Sequence, residues 1–338
     1  MPQKGKQSIC YETRPAIWSY AAVAGKKEHA GPLGQYFDYT SDDTYFGQKT
    51  WEKAENRMQQ LALETALEKG GLEKEDLGVV FSGDLLNQCI GSSFSLRGTG
   101  IPTLGLYGAC STMAEGLLLA GAAVDGRYCR RAAALTSSHF ASSERQYRNP
   151  LGYGAQRTPT AQWTVTGAGC MVLTREGPGP YLEAATVGSI CDLGIKDANQ
   201  MGAAMAPAAY DTLSAHFRDL DRTPQDYDLI VTGDLGKIGR QIVLDFFQRD
   251  GVKLENYDDC GCLIFDLPGQ DVHAGGSGCG CSAAVLCSYL MALFRQKKLR
   301  RLLFCGTGAL LSPTSTNQGE SIPGVCHAVS ICADKEGA

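Results

Sequence analysis

No stretch of the chain approaches the roughly 20 consecutive apolar residues of a membrane-crossing helix, and Met1 to Tyr20 holds no signal-peptide core. The expectation is a chain that stays on the cytosolic side, with any membrane contact peripheral. Basic residues are not in excess: 31 Lys and Arg against 36 Asp and Glu give a formal net charge of -5. That balance argues against a nucleic-acid partner. Histidine is scarce, with five in 338 residues, so candidates for a general base are few. Cysteine, by contrast, is plentiful. With no export signal, the fourteen Cys read as free thiols, most of them small buried residues. The pairs Cys260-Gly261-Cys262 and Cys279-Gly280-Cys281 leave one residue between thiols, a poor match to zinc knuckles. Neither a metal nor a cofactor is expected.

What the chain does have is internal repetition. Glu75-Asp76-Leu77-Gly78-Val79-Val80-Phe81-Ser82-Gly83-Asp84-Leu85 is echoed by Gln225-Asp226-Tyr227-Asp228-Leu229-Ile230-Val231-Thr232-Gly233-Asp234-Leu235. Each is an acidic turn, a short β-branched run that reads as a buried parallel strand, and Gly-Asp-Leu. A helix precedes each strand. Thr50 caps the first, which runs to Lys69 and stops at Gly70-Gly71. The second is expected to start near Pro207, a residue suited to a first helical turn, and to end near Leu220.

A second echo follows. Gly108-Ala109-Cys110-Ser111-Thr112 opens an apolar helix through Val124, then Arg130-Arg131 and a strand over 132–136. Gly278-Cys279-Gly280-Cys281-Ser282 opens another through Phe294, then Arg300-Arg301 and a strand over 302–305. Two echoes in one order indicate duplication. Helix, strand, glycine turn, buried helix and strand in each copy predict an α/β protein with a largely parallel sheet. The halves are expected over 1–178 and 179–338. A duplicated α/β unit with one central buried helix per half is the layout of the thiolase fold, which implies a five-layered αβαβα sandwich.

Cys110 lies at a strand-to-helix turn, where unpaired N–H groups and the helix dipole favour a thiolate or an anionic ligand group. It resembles the nucleophile of thiolases and ketoacyl synthases. In those enzymes His with His, or His with Asn, assists the thiol. Here the first partner position reads Thr232-Gly233-Asp234-Leu235-Gly236, with no His, and Gly280 stands at the Asn position. Among the histidines, His139 follows a strand and His273 precedes a glycine loop, so these two are the candidates to reach the site. His216 reads as a surface residue of an amphipathic helix, His327 as packed near the last strand, and His29 as part of a polar stretch.

Ordered stretches across nearly the whole chain resemble the stage V sporulation protein AD (SpoVAD) family. They include Gly83-Asp84-Leu85-Leu86-Asn87-Gln88, Gly108-Ala109-Cys110-Ser111-Thr112, Thr136-Ser137-Ser138-His139, Glu144-Arg145-Gln146, Gly275-Gly276-Ser277-Gly278-Cys279 and Glu320-Ser321-Ile322-Pro323. The resemblance implies a non-catalytic binder of dipicolinic acid, alone or as its calcium chelate, that supports uptake into developing spores. Implied partners are membrane transport proteins of the same operon and a second copy of the chain. Ligand-binding candidates are Cys110, His139, Asp84, Asn87, Ser138, Asp234, Lys237, His273 and Gly280. Arg145, Arg148 or Lys237 would meet the carboxylates, Asp84 and Asp234 would hold calcium, and Tyr107 or Phe140 would stack on the ring. The competing expectation is a degenerate acyltransferase with Cys110 as nucleophile and His139 or His273 as base.

Overall fold

The computed structural model describes residues 2–147 and 156–335. In the first half the main elements are β1 (Ala16–Gly25), α1 (Trp51–Gly70), β2 (Val79–Gly83), β3 (Thr103–Leu106), α2 (Thr112–Asp125), β4 (Arg131–Ser138), α3 (Phe140–Tyr147) and β5 (Gly167–Thr174). The second half has β6 (Tyr181–Thr186), α4 (Met201–Leu220), β7 (Leu229–Thr232), α5 (Gly236–Arg249), β8 (Tyr257–Asp259), α6 (Cys279–Val285), β9 (Arg301–Ala309) and β10 (Gly324–Cys332).

The repeat read from the sequence is a repeat in space. The strand order is β3-β2-β4-β5-β1 in one half and β8-β7-β9-β10-β6 in the other. Val79 pairs with Ala132, and the equivalent Leu229 pairs with Leu302, so the registers match. In each half four strands run one way and a single strand, β5 or β10, runs antiparallel between two of them, so each sheet is largely parallel with one reversed strand. The reason is local: α3 turns at the carboxyl end of β4 and does not cross the sheet, so β5 must run back. The two sheets touch through one pair, Tyr181 with Ala16, and the segment Ser8–Cys10 pairs with β6.

Helix α1 begins where Thr50 Oγ1 accepts from the Lys53 N–H (3.3 Å) and ends at Gly71, whose φ of 60° is left-handed. Helix α4 starts six residues before Pro207, which lies in its interior. Burial of Gly202, Ala204, Met205, Ala206, Ala208 and Ala209 outweighs the hydrogen bond that proline forgoes. Helices α2 and α6 lie between the sheets. Helix α6 continues through a π-helical turn, Leu286–Leu290, into Met291–Arg295. Many of their apolar residues, including Met113, Leu117, Val285 and Leu286, are fully buried in one core shared by both halves. All fourteen cysteines are free and ten are buried. No helix among the described residues is long and apolar enough to cross a membrane.

Candidate functional site

Parallel strands carry ligand sites beyond their carboxyl ends, and here the two halves meet at such a place. The turn after β3 holds Ala109 at a φ of 49°, a conformation that non-glycine residues seldom adopt. This elbow sets Cys110 at the foot of α2. Strand β9 runs close against it, because Gly308 has no side chain: a Cβ there would lie 2.5 Å from the Gly108 carbonyl.

A pocket opens over Cys110, with about 510 Å³ of empty space, part of it solvent at the mouth. The first half contributes Leu85, Tyr107, Ala109, Cys110, Ser143, Glu144, Tyr147 and Thr164. The second contributes Met201, Ser277, Ala309, Leu310 and Leu311. Tyr107 and Tyr147 share a hydrogen bond through their hydroxyls, and Tyr147 donates to the Leu85 carbonyl. Thr164 Oγ1 donates to Glu144 at 3.0 Å. The buried Ser143 hydroxyl has no hydrogen-bond partner among the described residues. No Lys, Arg or His is among the described residues lining the pocket.

The thiol of Cys110 faces Asp234, Cys279 and the Gly278 N–H. Burial, then the Asp234 and Cys279 charges, push it well above the usual thiol range, so it is protonated near neutral pH. This corrects the thiolate expected from the helix start: two acidic neighbours and exclusion of water outweigh the dipole. Asp234 Oδ1 accepts from Thr307 Oγ1 (2.8 Å), and its Oδ2 accepts from the Gly278 N–H (2.8 Å) and Ser277 Oγ (3.3 Å). Burial raises its carboxyl to about 6 against these donors and the Cys110 thiol.

Other candidates sit elsewhere. Asp84, the repeat partner of Asp234, accepts from the Leu86 N–H (2.8 Å) and from the N–H and hydroxyl of Ser92 (both 2.7 Å). It shapes the chain after β2. With their oxygens committed to internal donors, neither Asp is free for calcium. His139 is buried with Nε2 against the Thr44 carbonyl (2.8 Å) and Nδ1 accepting from the Ala141 N–H (3.2 Å). Burial lowers its pKa, and it faces a separate concavity with Lys27, Phe140 and Trp163. Phe140 stacks on Trp163 there, 3.9 Å between centroids. His273 is held by the Thr158 carbonyl (2.6 Å) and Asp271 (3.1 Å), away from Cys110. Lys237 is exposed on the first turn of α5, and Asn87 is exposed with its N–H donating to Gln146. Ser138 is a clamp: its hydroxyl donates to the Val165 carbonyl (2.7 Å) and accepts from the Gly280 N–H (3.1 Å). Gly280 is no vacated slot, since a Cβ would lie 2.4 Å from the Gly167 carbonyl and 2.5 Å from Ser138 Oγ.

Arg145 pairs with Glu52 and lies over Trp51, so it turns from the pocket. Arg148 lies outside the described residues. Tyr107 alone of the stacking candidates lines the pocket. His216 is fully buried between Thr186 Oγ1 (2.7 Å) and the Tyr227 hydroxyl (2.6 Å), not on the surface. His327 packs as expected, with Nδ1 accepting from the Gly188 N–H (3.2 Å). The site residues that the sequence reading did not select are Ser143, Glu144, Tyr147, Thr164, Ser277 and Cys279. Helical phase carried the missing signal: 143, 144 and 147 share a face of α3, and 145 lies on another. No group of three or more His, Cys, Asp or Glu among the described residues is placed to hold a metal ion.

A duplicated α/β sandwich with a cysteine at the elbow of one central helix defines a thiolase-fold protein. Solved structures of that class align with it at 10–15% identity, a level that speaks to fold alone. One is 3-oxoacyl-[acyl-carrier-protein] synthase III from Aquifex aeolicus, TM-score 0.55, covering 94% of this chain and 99% of that one. Another is a point variant of OleA from Xanthomonas campestris, TM-score 0.61, covering 95% and 99%. Within that class the particular family is clear. The stage V sporulation protein AD (SpoVAD) family model matches residues 5–332, and stage V sporulation protein AD of Bacillus subtilis (strain 168) is 47% identical over 330 residues, 97% of each chain. The chain belongs to the SpoVAD family.

Proposed function

We propose that this sporulation protein is a receptor for dipicolinic acid and supports its uptake into developing spores, with Cys110 serving as a pocket wall. The observation that carries the reading is the pocket itself. It is concave and mostly apolar, with convergent hydroxyls, over a thiol held protonated. The ligand is the free dianion or its calcium chelate. In the chelate, calcium cancels the ligand charge and takes further oxygen ligands, for which Glu144 is the nearest anionic candidate. The acyltransferase reading draws no support from a raised thiol with no histidine among the described pocket residues.

Two further features complete the proposal. Among the described residues the outer edge of β3 is unpaired, with Thr103, Leu104 and Gly105 exposed, and two copies can join there as a dimer. Attachment to the membrane is peripheral, through integral transport proteins of the same operon.

Calorimetric titration with dipicolinate, with and without equimolar calcium, tests the reading. Binding is expected; Ser143→Ala weakens it, and Glu144→Gln weakens the chelate about tenfold, the scale of one charged contact. Absence of binding by either form at millimolar concentration refutes the proposal.

A further inference from the structure

The duplication supplies an internal control on the opposite end of the sheets. Arg130-Arg131 at the start of β4 corresponds to Arg300-Arg301 at the start of β9. In the second half this pair is neutralised from within. Arg301 meets Glu183 (3.4 Å), which also pairs with Arg222 (2.7 Å) and Arg14 (3.8 Å), and Arg300 meets Asp334 (3.5 Å).

The first half lacks that carboxylate. Both halves carry the same irregularity in register: β1 skips between Ile17 and Ser19 against β5, and β6 skips between Leu182 and Ala184 against β10. Since Ala16 pairs with Thr174 as Tyr181 pairs with Cys332, Trp18 is the equivalent of Glu183. An indole therefore stands where the second half places its anion. Around it opens a concavity of about 590 Å³, including solvent at its mouth, lined by Trp18, Arg130, Arg131, Thr174, Arg175 and Glu176. Arg131 reaches Asp76 through Nη1 (3.3 Å), while its buried Nε has no hydrogen-bond partner among the described residues. Arg130 and Arg175 form no ion pair among the described residues, and the exposed Glu176 forms none with them.

We propose that this concavity binds a phosphate group, which takes the place that the Glu183 carboxylate fills in the other half. Three guanidinium groups present more planar donor edges than one carboxylate can satisfy, and a phosphate offers three or four acceptor oxygens. Such a group is carried either by a soluble phosphate ester or by a phospholipid headgroup.

The test uses pyrophosphate calorimetry at low ionic strength, where charged contacts are least screened. A second arm is co-sedimentation with phosphatidylcholine vesicles, with and without phosphatidylglycerol. The variants are Arg130→Gln with Arg175→Gln, Trp18→Glu, and Arg300→Gln as control, each checked for folding by thermal melting. The double variant should lose at least about tenfold in affinity, the scale of charge-assisted hydrogen bonds. Trp18→Glu should abolish binding by supplying the anion internally, and Arg300→Gln should bind as the parent does. Binding of pyrophosphate alone assigns a soluble ester, and variant-sensitive binding of the anionic vesicles assigns a headgroup. The proposal fails if the parent protein binds neither millimolar pyrophosphate nor those vesicles, or if folded variants bind equally well.

Discussion

Replacing Asp234 with asparagine would test why the Cys110 thiol stays protonated. At pH 8 the Asp234 carboxyl, raised by burial to about 6, is ionised and lies beside the thiol. Two unit charges about 4 Å apart interact by about 4 kcal/mol at an effective dielectric of 20, equivalent to up to about three pKa units. Burial is the larger cause and persists in Asp234→Asn, so only the charge contribution is released. The thiolate fraction of Cys110 at pH 8 should therefore rise at least about tenfold. Iodoacetamide labelling from neutral to alkaline pH, with peptide mass spectrometry to separate the fourteen cysteines, reads that change. Cys279 is an internal comparison, because its thiol donates to the Ser137 carbonyl (3.0 Å) and its foremost charged neighbours are Asp84 and Glu55. Its rate should move less. Alkylation of Cys110 in the parent protein as rapid as that of an ordinary exposed thiol, or an unchanged rate in a folded Asp234→Asn variant, would refute the reasoning.

Restoring a side chain at position 280 should destabilise the fold. Gly280→Ala forces a Cβ against Gly167 and Ser138 backbone atoms and should cost at least about 1–3 kcal/mol in urea unfolding, more for Gly280→Asn; a loss below about 0.5 kcal/mol would contradict the packing. Stability should fall as pH rises from about 6.5 to about 8. Burial raises Glu28 and Asp259 to about 7 and Glu55 to about 8. The folded state therefore keeps protons that the unfolded chain releases from its ordinary carboxylate value upward, and stability is lost progressively until these groups ionise, with the last part of the loss between about 6.5 and 8. The loss is about 1–3 kcal/mol, a few degrees in Tm by differential scanning calorimetry. Burial lowers His216 to about 3 and His327 to about 4, a contribution of opposite sign that acts only below the usual histidine value of 6.5, so the carboxyl effect stands alone between about 6.5 and 8.

Local pattern was enough for the duplication, the strand-to-helix turn at Cys110, the capped helix from Thr50 and the two central apolar helices. Each depends on periodicity and turn chemistry within about 20 residues of chain, and that information lies in the sequence itself. The start of α4 escaped the pattern because burial of its alanine face overrode proline. Side-chain direction was not legible either. His139 and His273 were the plausible bases, yet backbone carbonyls hold both away from Cys110. Arg145 was one of three candidate cations, with Arg148 and Lys237, yet the phase of α3 sends it to Glu52 and brings Ser143, Glu144 and Tyr147 to the pocket. Only the closing of one half on the other set Asp234 against the Cys110 thiol, a contact between residues 124 positions apart. Similarly, the matching bulges that make Trp18 the counterpart of Glu183 exist only as strand register. These outcomes belong to tertiary structure because they are set by which surfaces meet, and a one-dimensional pattern does not carry the phase at which they do.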